Sequence, residues 1–146
     1  MTNDYEDLSD QNWNWVVLVL SMIDSHLEMT KYGKMLKAHV VYAFEHIEEP
    51  EDFKLVKYNG NVLEVGTKGT IKMCGVKLSQ RVLGNGYVLV NIPGSRSFDY
   101  VHKIVCKAFF GKRQKDEVVD HKNGVKFCNF VENLHYVSKR ENYDNR

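Results

Sequence analysis

The chain has 146 residues, of which 43% are hydrophobic and 27% charged, and this composition is typical of an ordinary globular protein. Its longest apolar run, Trp15 to Leu20, is too short to cross a bilayer, which excludes a membrane-spanning protein. The net charge of +1 conceals an asymmetry: residues 1–53 have a net charge of −8 and residues 54–146 a net charge of +9. This pattern indicates an acidic appendage on a basic, polyanion-binding body, or two solvated surfaces of opposite sign.

The acidic segment, residues 1–49, is predicted to be helical. Apolar residues from Trp13 to Leu27 follow helical spacing and cover nearly the whole circumference, so this element must be buried. Core packing is one way to bury it, and a protein partner or self-association through Trp13–Leu27 is the other. A second helical stripe, from Leu36 to Ile47, ends near Pro50 because the residue before a proline disfavours the α region.

Short β-rich runs separated by glycines follow Pro50. The pair Asn59-Gly60 and the triplet Gly84-Asn85-Gly86 are hairpin signals, so we expect one antiparallel, meander-like sheet. Its predicted strands are Phe53–Tyr58, Val62–Val65, Thr70–Met73, Lys77–Leu83 and Tyr87–Ile92. A helix is predicted from Val101 to Phe110, with Gly111 as its C-terminal stop.

Basic residues accumulate on this sheet and on the linker after the helix. A basic sheet face can enter a DNA groove, although a merely solvated face remains the alternative. The residues expected to contact DNA are Lys68, Lys72, Lys77, Arg81, Arg96, Lys112, Arg113 and Lys115.

The three cysteines are Cys74, Cys106 and Cys128. None of them forms the close pair of a zinc knuckle, and an odd number argues against a disulfide framework. The acidic N-terminus is unlike a secretory leader. We therefore expect a cytoplasmic protein in a reducing compartment, with no membrane partner.

Chemistry concentrates in the last 30 residues. Val118-Val119 predicts a strand that ends in Asp120 and His121, and Leu134 to Val137 predicts a second strand. Ser138 and Glu141 have the spacing of a capping box, which places Asn142 in the first turn of a final helix. Asp120 and Asn142 offer oxygen ligands suited to Mg²⁺ or Mn²⁺. His121 faces the other way along the strand and can act as a base on a water molecule.

These residues resemble the H-N-N variant of the HNH nucleases found in phage and intron homing endonucleases. The resemblance rests on Asp120-His121 with Gly124, then Glu132-Asn133-Leu134, then Ser138-x-x-Glu141-Asn142, and it covers roughly residues 50–146. It implies that His121 is the general base and that Asp120 and Asn142 hold one divalent metal ion. It also implies that Asn133 braces the loop and keeps His121 oriented. His102 matches the family by position only, which suggests packing or a phosphate contact.

The sequence therefore predicts an α+β protein: an acidic helical segment (residues 1–49), a β-rich module with a helix that binds DNA (residues 50–111), and a ββα-metal HNH fold (residues 112–146). The expected function is a homing-endonuclease-like, Mg²⁺- or Mn²⁺-dependent hydrolase of double-stranded DNA that either nicks one strand or cuts both, and the resemblance is compatible with a phage-encoded protein. Related homing enzymes add a C-terminal DNA-reading module, which this chain is expected to lack. DNA recognition is therefore expected to depend on the central sheet and the linker. The alternatives are a DNA-binding protein with an inactive, truncated HNH fold and a protein-interaction module.

Overall fold

The computed structural model describes residues 48–96 and 98–144, with the backbone alone at Asp144, and five residues of the preceding segment: His39, Val41, Tyr42, Glu45 and His46. The chain divides into two compact units, residues 1–50 and 51–146. The predicted helix Trp13–Leu27 lies outside the described residues. Of the second predicted stripe, the described residues between His39 and Glu45 are helical. No helix of the described part is long and apolar enough to cross a membrane.

The first sheet of the second unit contains four antiparallel strands in the order β1-β2-β3-β4. They are β1 (Phe53–Tyr58), β2 (Asn61–Gly66), β3 (Ile71–Met73) and β4 (Val76–Lys77). Asn59 and Gly60 connect β1 to β2 with φ angles of 47° and 82°. Two consecutive positive φ angles are what a tight hairpin turn of this length requires, so the hairpin predicted from Asn-Gly is confirmed.

The second sheet contains β5 (Gln80–Val82), β6 (Val88–Val90) and β7 (Asp99–Tyr100), also antiparallel. The expected single sheet, with one strand over Lys77–Leu83, is therefore wrong. The Leu78 amide still donates to the Ile71 carbonyl of the first sheet (2.9 Å), whereas the Ser79 carbonyl accepts from Asn91 of the second (3.0 Å). Because the pairing partner changes between these two residues, one continuous apolar run becomes two strands.

The C-terminal part is a two-stranded hairpin followed by a helix. Strand β8 (Glu117–His121) pairs antiparallel with β9 (Leu134–Ser138), and a 3₁₀ turn at Val131–Asn133 leads into β9. Helix α2 (Lys139–Asp144) follows at once, and the Glu141 amide donates to the Ser138 hydroxyl at 3.0 Å. The predicted strand, strand, helix order and the helix start at Ser138 are confirmed.

Helix α1 (Val101–Phe110) is the common packing partner of the three sheets. It ends at Gly111, whose amide donates to the Lys107 carbonyl and whose φ of 83° suits glycine. It packs against β1 and β2 of the first sheet, β6 and β7 of the second, and β8 and β9 of the third. Its inner face is removed from water: Val101, Ile104, Val105, Cys106 and Ala108. The C-terminal hairpin is thus held on the same core as the two preceding sheets.

Candidate functional site

Strand β8 carries two of the predicted site residues, and their side chains leave the backbone on opposite sides. Successive side chains of a strand alternate between its faces, so Asp120 and His121 cannot share one. Asp120 is directly opposite His135 on β9, and His121 is opposite Leu134. Asp120 is half-buried and reachable from solvent, whereas His121 is 6% exposed. The site therefore has a wet carboxylate side and a dry imidazole side.

The imidazole of His121 is fixed by an asparagine. Its Nε2 lies 3.0 Å from the Asn129 Oδ1. A carboxamide oxygen only accepts hydrogen bonds, so Nε2 carries the hydrogen and the lone pair of the neutral ring is on Nδ1. Burial lowers the pKa of His121 below its ordinary value, against the opposing effects of Asn129 and Asp120. A neutral imidazole with a free lone pair at neutral pH is equipped to accept a proton.

A second buried histidine lies against this ring. The His102 and His121 ring centroids are 5.4 Å apart in an edge-to-face arrangement, and Tyr87 lies 5.0 Å from His102 and 6.2 Å from His121. His102 is 6% exposed, and its Nδ1 has no hydrogen-bond partner within the part of the chain that the structure describes. Burial, and then the charges of His121 and Lys103, lower its pKa to about 3. His102 is therefore a neutral packing partner of the expected base.

Asp120, one of the two expected metal ligands, has a cross-strand neighbour. Its Oδ2 lies 2.7 Å from the His135 Nε2, and the two side chains are 32% and 41% exposed respectively. Asn142, the other expected ligand, is on α2, which packs against both β8 and β9. The carboxylate, an imidazole and the helix with the carboxamide thus all belong to one hairpin-helix unit.

Asn133 is the centre of the loop that joins β8 to β9. The side chain is 2% exposed, and its Nδ2 donates to the Asn123 Oδ1 (3.0 Å) and to the Cys128 carbonyl (2.9 Å). Its Oδ1 accepts from the Asn123 amide at 3.0 Å, and its own carbonyl accepts from Lys122 at 2.7 Å. These bonds close the loop, while the direct contact to His121 is made by Asn129. That Asn133 orients His121 stays a prediction.

The expected DNA-contacting cations lie at three places. Lys72 and Lys77 face each other on β3 and β4, and the Lys72 Nζ lies 4.4 Å from the Phe53 ring centroid. Lys68 is half-buried beside the first sheet, on the turn before β3. Arg81 and Arg96 line a pocket of about 500 Å³ with Phe98 and Asp99. Lys112, Arg113 and Lys115 are exposed on the linker, where Arg113 donates to the Glu117 carbonyl.

Three residues outside the predicted catalytic and metal-binding set lie beside the expected site in the structure: Asn129, His102 and His135. Asn129 lies in an irregular loop, where no periodicity relates it to His121. His102 is on a helix with no neighbouring functional residue at helical spacing. His135 could have been found in part, because the pairing of the two predicted strands implies that some residue of the second strand lies opposite Asp120. The register that selects it depends on the 12 residues between the strands, which sequence alone does not fix.

Two comparisons with known proteins match this part of the chain. Residues 99–143 match the family described as HNH endonuclease. A solved structure described as DNA binding and cleavage by the HNH homing endonuclease I-HmuI is similar to the chain, with a TM-score of 0.55 and 26% sequence identity. The similarity covers 63% of this chain and 56% of that chain, so it extends over little more than half of the I-HmuI chain. None of the curated proteins matches the sequence.

Proposed function

We propose, from the match of residues 99–143 to the HNH endonuclease family and the similarity to an HNH homing endonuclease, that the chain is a divalent-metal-dependent endonuclease. It would hydrolyse phosphodiester bonds of double-stranded DNA inside the cell. The observation that supports this most directly is the arrangement at the end of β8. A buried, neutral imidazole and a solvent-accessible carboxylate come from adjacent residues, His121 and Asp120. Phosphodiester hydrolysis needs these two roles, a base for the water and an anchor for a cation.

In this proposal His121 removes a proton from the attacking water through Nδ1, while Asn129 holds the Nε2 hydrogen. Removing the ring from water keeps it neutral, so it is ready to accept a proton at neutral pH. Asn133 acts by holding the loop that carries Asn129. The base is thus positioned by the loop and kept in its reactive protonation state by burial.

The donor atoms on the other side of β8 fit one divalent cation. The Asp120 carboxylate is partly exposed and Asn142 lies on the adjoining helix, and these are the oxygen donors that Mg²⁺ and Mn²⁺ accept. With a single carboxylate, a bound divalent ion would keep a net positive charge that attracts a phosphate. When bound, the cation supplies stabilisation of the negative charge that develops on the departing oxygen.

DNA contact is proposed for the eight cations of the two sheets and the linker. Lysine and arginine contacts to phosphates give affinity without reading sequence, whereas arginine can bond guanine bidentately. Arg81 and Arg96 share one pocket and are the candidates for base contacts. I-HmuI, which the chain resembles, binds and cleaves DNA, and this supports the same partner here.

Plasmid cleavage with Mg²⁺, with Mn²⁺ and with EDTA tests the proposal. We expect cleavage only with a divalent ion. His121→Ala should lower the rate roughly 10²- to 10⁴-fold, the usual contribution of general acid–base catalysis, and leave DNA binding unchanged. Asp120→Ala should abolish the metal dependence along with the activity. His46→Ala, which removes a histidine outside the second unit, is the matched control and should cleave normally.

DNA binding without cleavage under every metal condition would instead support a DNA-binding protein with an inactive HNH fold. Near-normal cleavage by His121→Ala would remove His121 from the mechanism.

A further inference from the structure

We propose that His135 is a third protein ligand of the divalent cation held by Asp120 and Asn142, so that the site contains an imidazole nitrogen in addition to its oxygens. This inference rests on the proposed function, because it concerns the cation of that site. It assigns to His135 a role that neither the motif nor the sequence pattern gives it.

The first observation is register. Asp120 and His135 are directly opposite each other in the β8–β9 ladder, so both side chains leave the same face of the hairpin. This strand pairing keeps the two side chains adjacent whether a hydrogen atom or a metal ion lies between them. His121 points to the opposite face, and its Nε2 is already bonded to Asn129.

The second observation is the separation of the donor atoms. The His135 Nε2 and the Asp120 Oδ2 are 2.7 Å apart. Metal–nitrogen and metal–oxygen bonds of roughly 2.0–2.2 Å place two ligands at a right angle about 3 Å apart. The observed separation is therefore within a few tenths of an ångström of that of two adjacent ligands of one ion, and coordination further requires that the His135 ring turn its Nε2 lone pair towards the ion.

The third observation is access. The two side chains are 41% and 32% exposed, so an ion and its remaining waters can reach both from solvent. The neutral imidazole coordinates through the lone pair of Nε2 once the hydrogen is on Nδ1. Neither a backbone change nor the entry of a charge into the core is needed.

An imidazole changes which ions the site prefers. Carboxylate and carboxamide oxygens suit Mg²⁺, whereas imidazole suits later transition metals, and affinity rises from Mn²⁺ through Co²⁺ to Ni²⁺. We therefore expect the protein to bind Mn²⁺ and Co²⁺ more tightly than Mg²⁺. Removal of the His135 imidazole should narrow the difference in affinity between these ions and Mg²⁺, since it deletes the nitrogen donor, which favours the transition metals more than the oxygens do.

The test is the pulsed electron paramagnetic resonance of Mn²⁺ bound to the full chain without DNA, with calorimetric titration of Mn²⁺ and Mg²⁺. The spectrum of the wild-type protein should show hyperfine coupling between Mn²⁺ and a nitrogen nucleus. Labelling the histidines with ¹⁵N should change the pattern of that coupling. His135→Ala and His135→Gln should lose the coupling, and Mn²⁺ affinity should fall about tenfold or more. His135→Gln keeps a hydrogen-bond donor for Asp120, so it separates ligation from simple support of the carboxylate. His121→Gln is the matched control and should retain the coupling.

Three results would overturn the proposal. Mn²⁺ that binds in an Asp120-dependent manner without nitrogen coupling would show an all-oxygen site, leaving the proposed nuclease function intact. Coupling lost in His121→Gln but kept in the His135 variants would make His121 the ligand. If Mn²⁺ does not bind, or binds equally to Asp120→Ala, the metal site of the proposed function fails together with this inference.

Discussion

The imidazole of His102 lies 5.4 Å from that of His121, and both rings are almost completely removed from solvent. Burial penalises the charged form of both rings, and the pKa of His102 is lowered further by the charges of His121 and Lys103. His102 packs against the expected base without contacting a reacting atom. The same arrangement has a consequence for stability.

His102→Phe should alter how the free energy of unfolding depends on pH. The pKa of His102 is about 3 in the folded chain and about 6.5 when unfolded, so the unfolded chain binds more protons between these values. The contribution of His102 to the free energy of unfolding is therefore fully present above pH 6.5. It is lost as the pH falls from 6.5 towards 3, by about 1.4 kcal/mol per pH unit for one histidine. Phenylalanine retains an aromatic ring and cannot titrate, so this part of the slope should vanish.

Urea unfolding of both proteins at pH 4.5, 5.5, 6.5 and 7.5 checks this. The variant should gain stability relative to wild type as the pH falls from 6.5 to 4.5. A stability difference that is independent of pH would show that His102 takes up its proton as readily in the folded chain as in the unfolded one.

Among structural elements, the loop between β8 and β9 depends most on one side chain. Asn133→Ala removes three side-chain hydrogen bonds and leaves the buried Cys128 carbonyl without that partner, whereas the exposed Asn123 can turn to water. The unsatisfied carbonyl costs about 1–3 kcal/mol and each of the other two hydrogen bonds about 0.5–1.5 kcal/mol, so the free energy of unfolding should fall by roughly 2–5 kcal/mol. Urea unfolding measures this, and Asn91→Ala at an exposed asparagine is the control. Equal effects of the two substitutions would argue against a structural role for Asn133.

Local signals predicted several elements correctly because each has a cause within a few residues. Asn59-Gly60 fixes a hairpin through its positive φ angles, Gly111 ends α1, and Ser138 begins α2. The prediction of one strand over Lys77–Leu83 is wrong for the opposite reason. Its residue pattern is that of a strand throughout, and only the distant partners, Ile71 and Asn91, divide it between two sheets.

In the expected site too, local sequence signals predict some features and distant contacts determine the others. Asp120 and His121 are neighbours in sequence, so a strand signal sufficed to place them on opposite faces. The contacts of His121 with Asn129 and His102 bring together residues 8 and 19 positions away, through a loop and a helix whose packing no local pattern encodes. The family resemblance to HNH homing endonucleases is confirmed, whereas the roles carried over with it remain predictions.

For the molecule as a whole, charge asymmetry predicts how DNA binding responds to salt. Residues 54–146 have a net charge of +9, and each phosphate contact releases counterions on binding. Lys115→Ala should reduce the slope of log affinity against log salt concentration by roughly 0.9 on duplex DNA. Fluorescence anisotropy in EDTA, between 50 and 200 mM salt, measures the slope without cleavage. Lys54→Ala, at an exposed lysine outside the proposed DNA-contacting set, should leave it unchanged; equal slopes for all three proteins would exclude Lys115 from the interface.

The linker after α1 is exposed from Gly111 to Asp116, and it separates α1 from the hairpin that carries Asp120 and His121. Helix α1 nevertheless packs on strands that come before it and on strands that come after it. The apolar face of α1, more than the linker, therefore joins the two preceding sheets to the C-terminal hairpin. A protease that cut after Lys112 or Lys115 would sever the backbone but leave that face covered, and the two fragments would remain one particle with its pair of buried histidines still in contact.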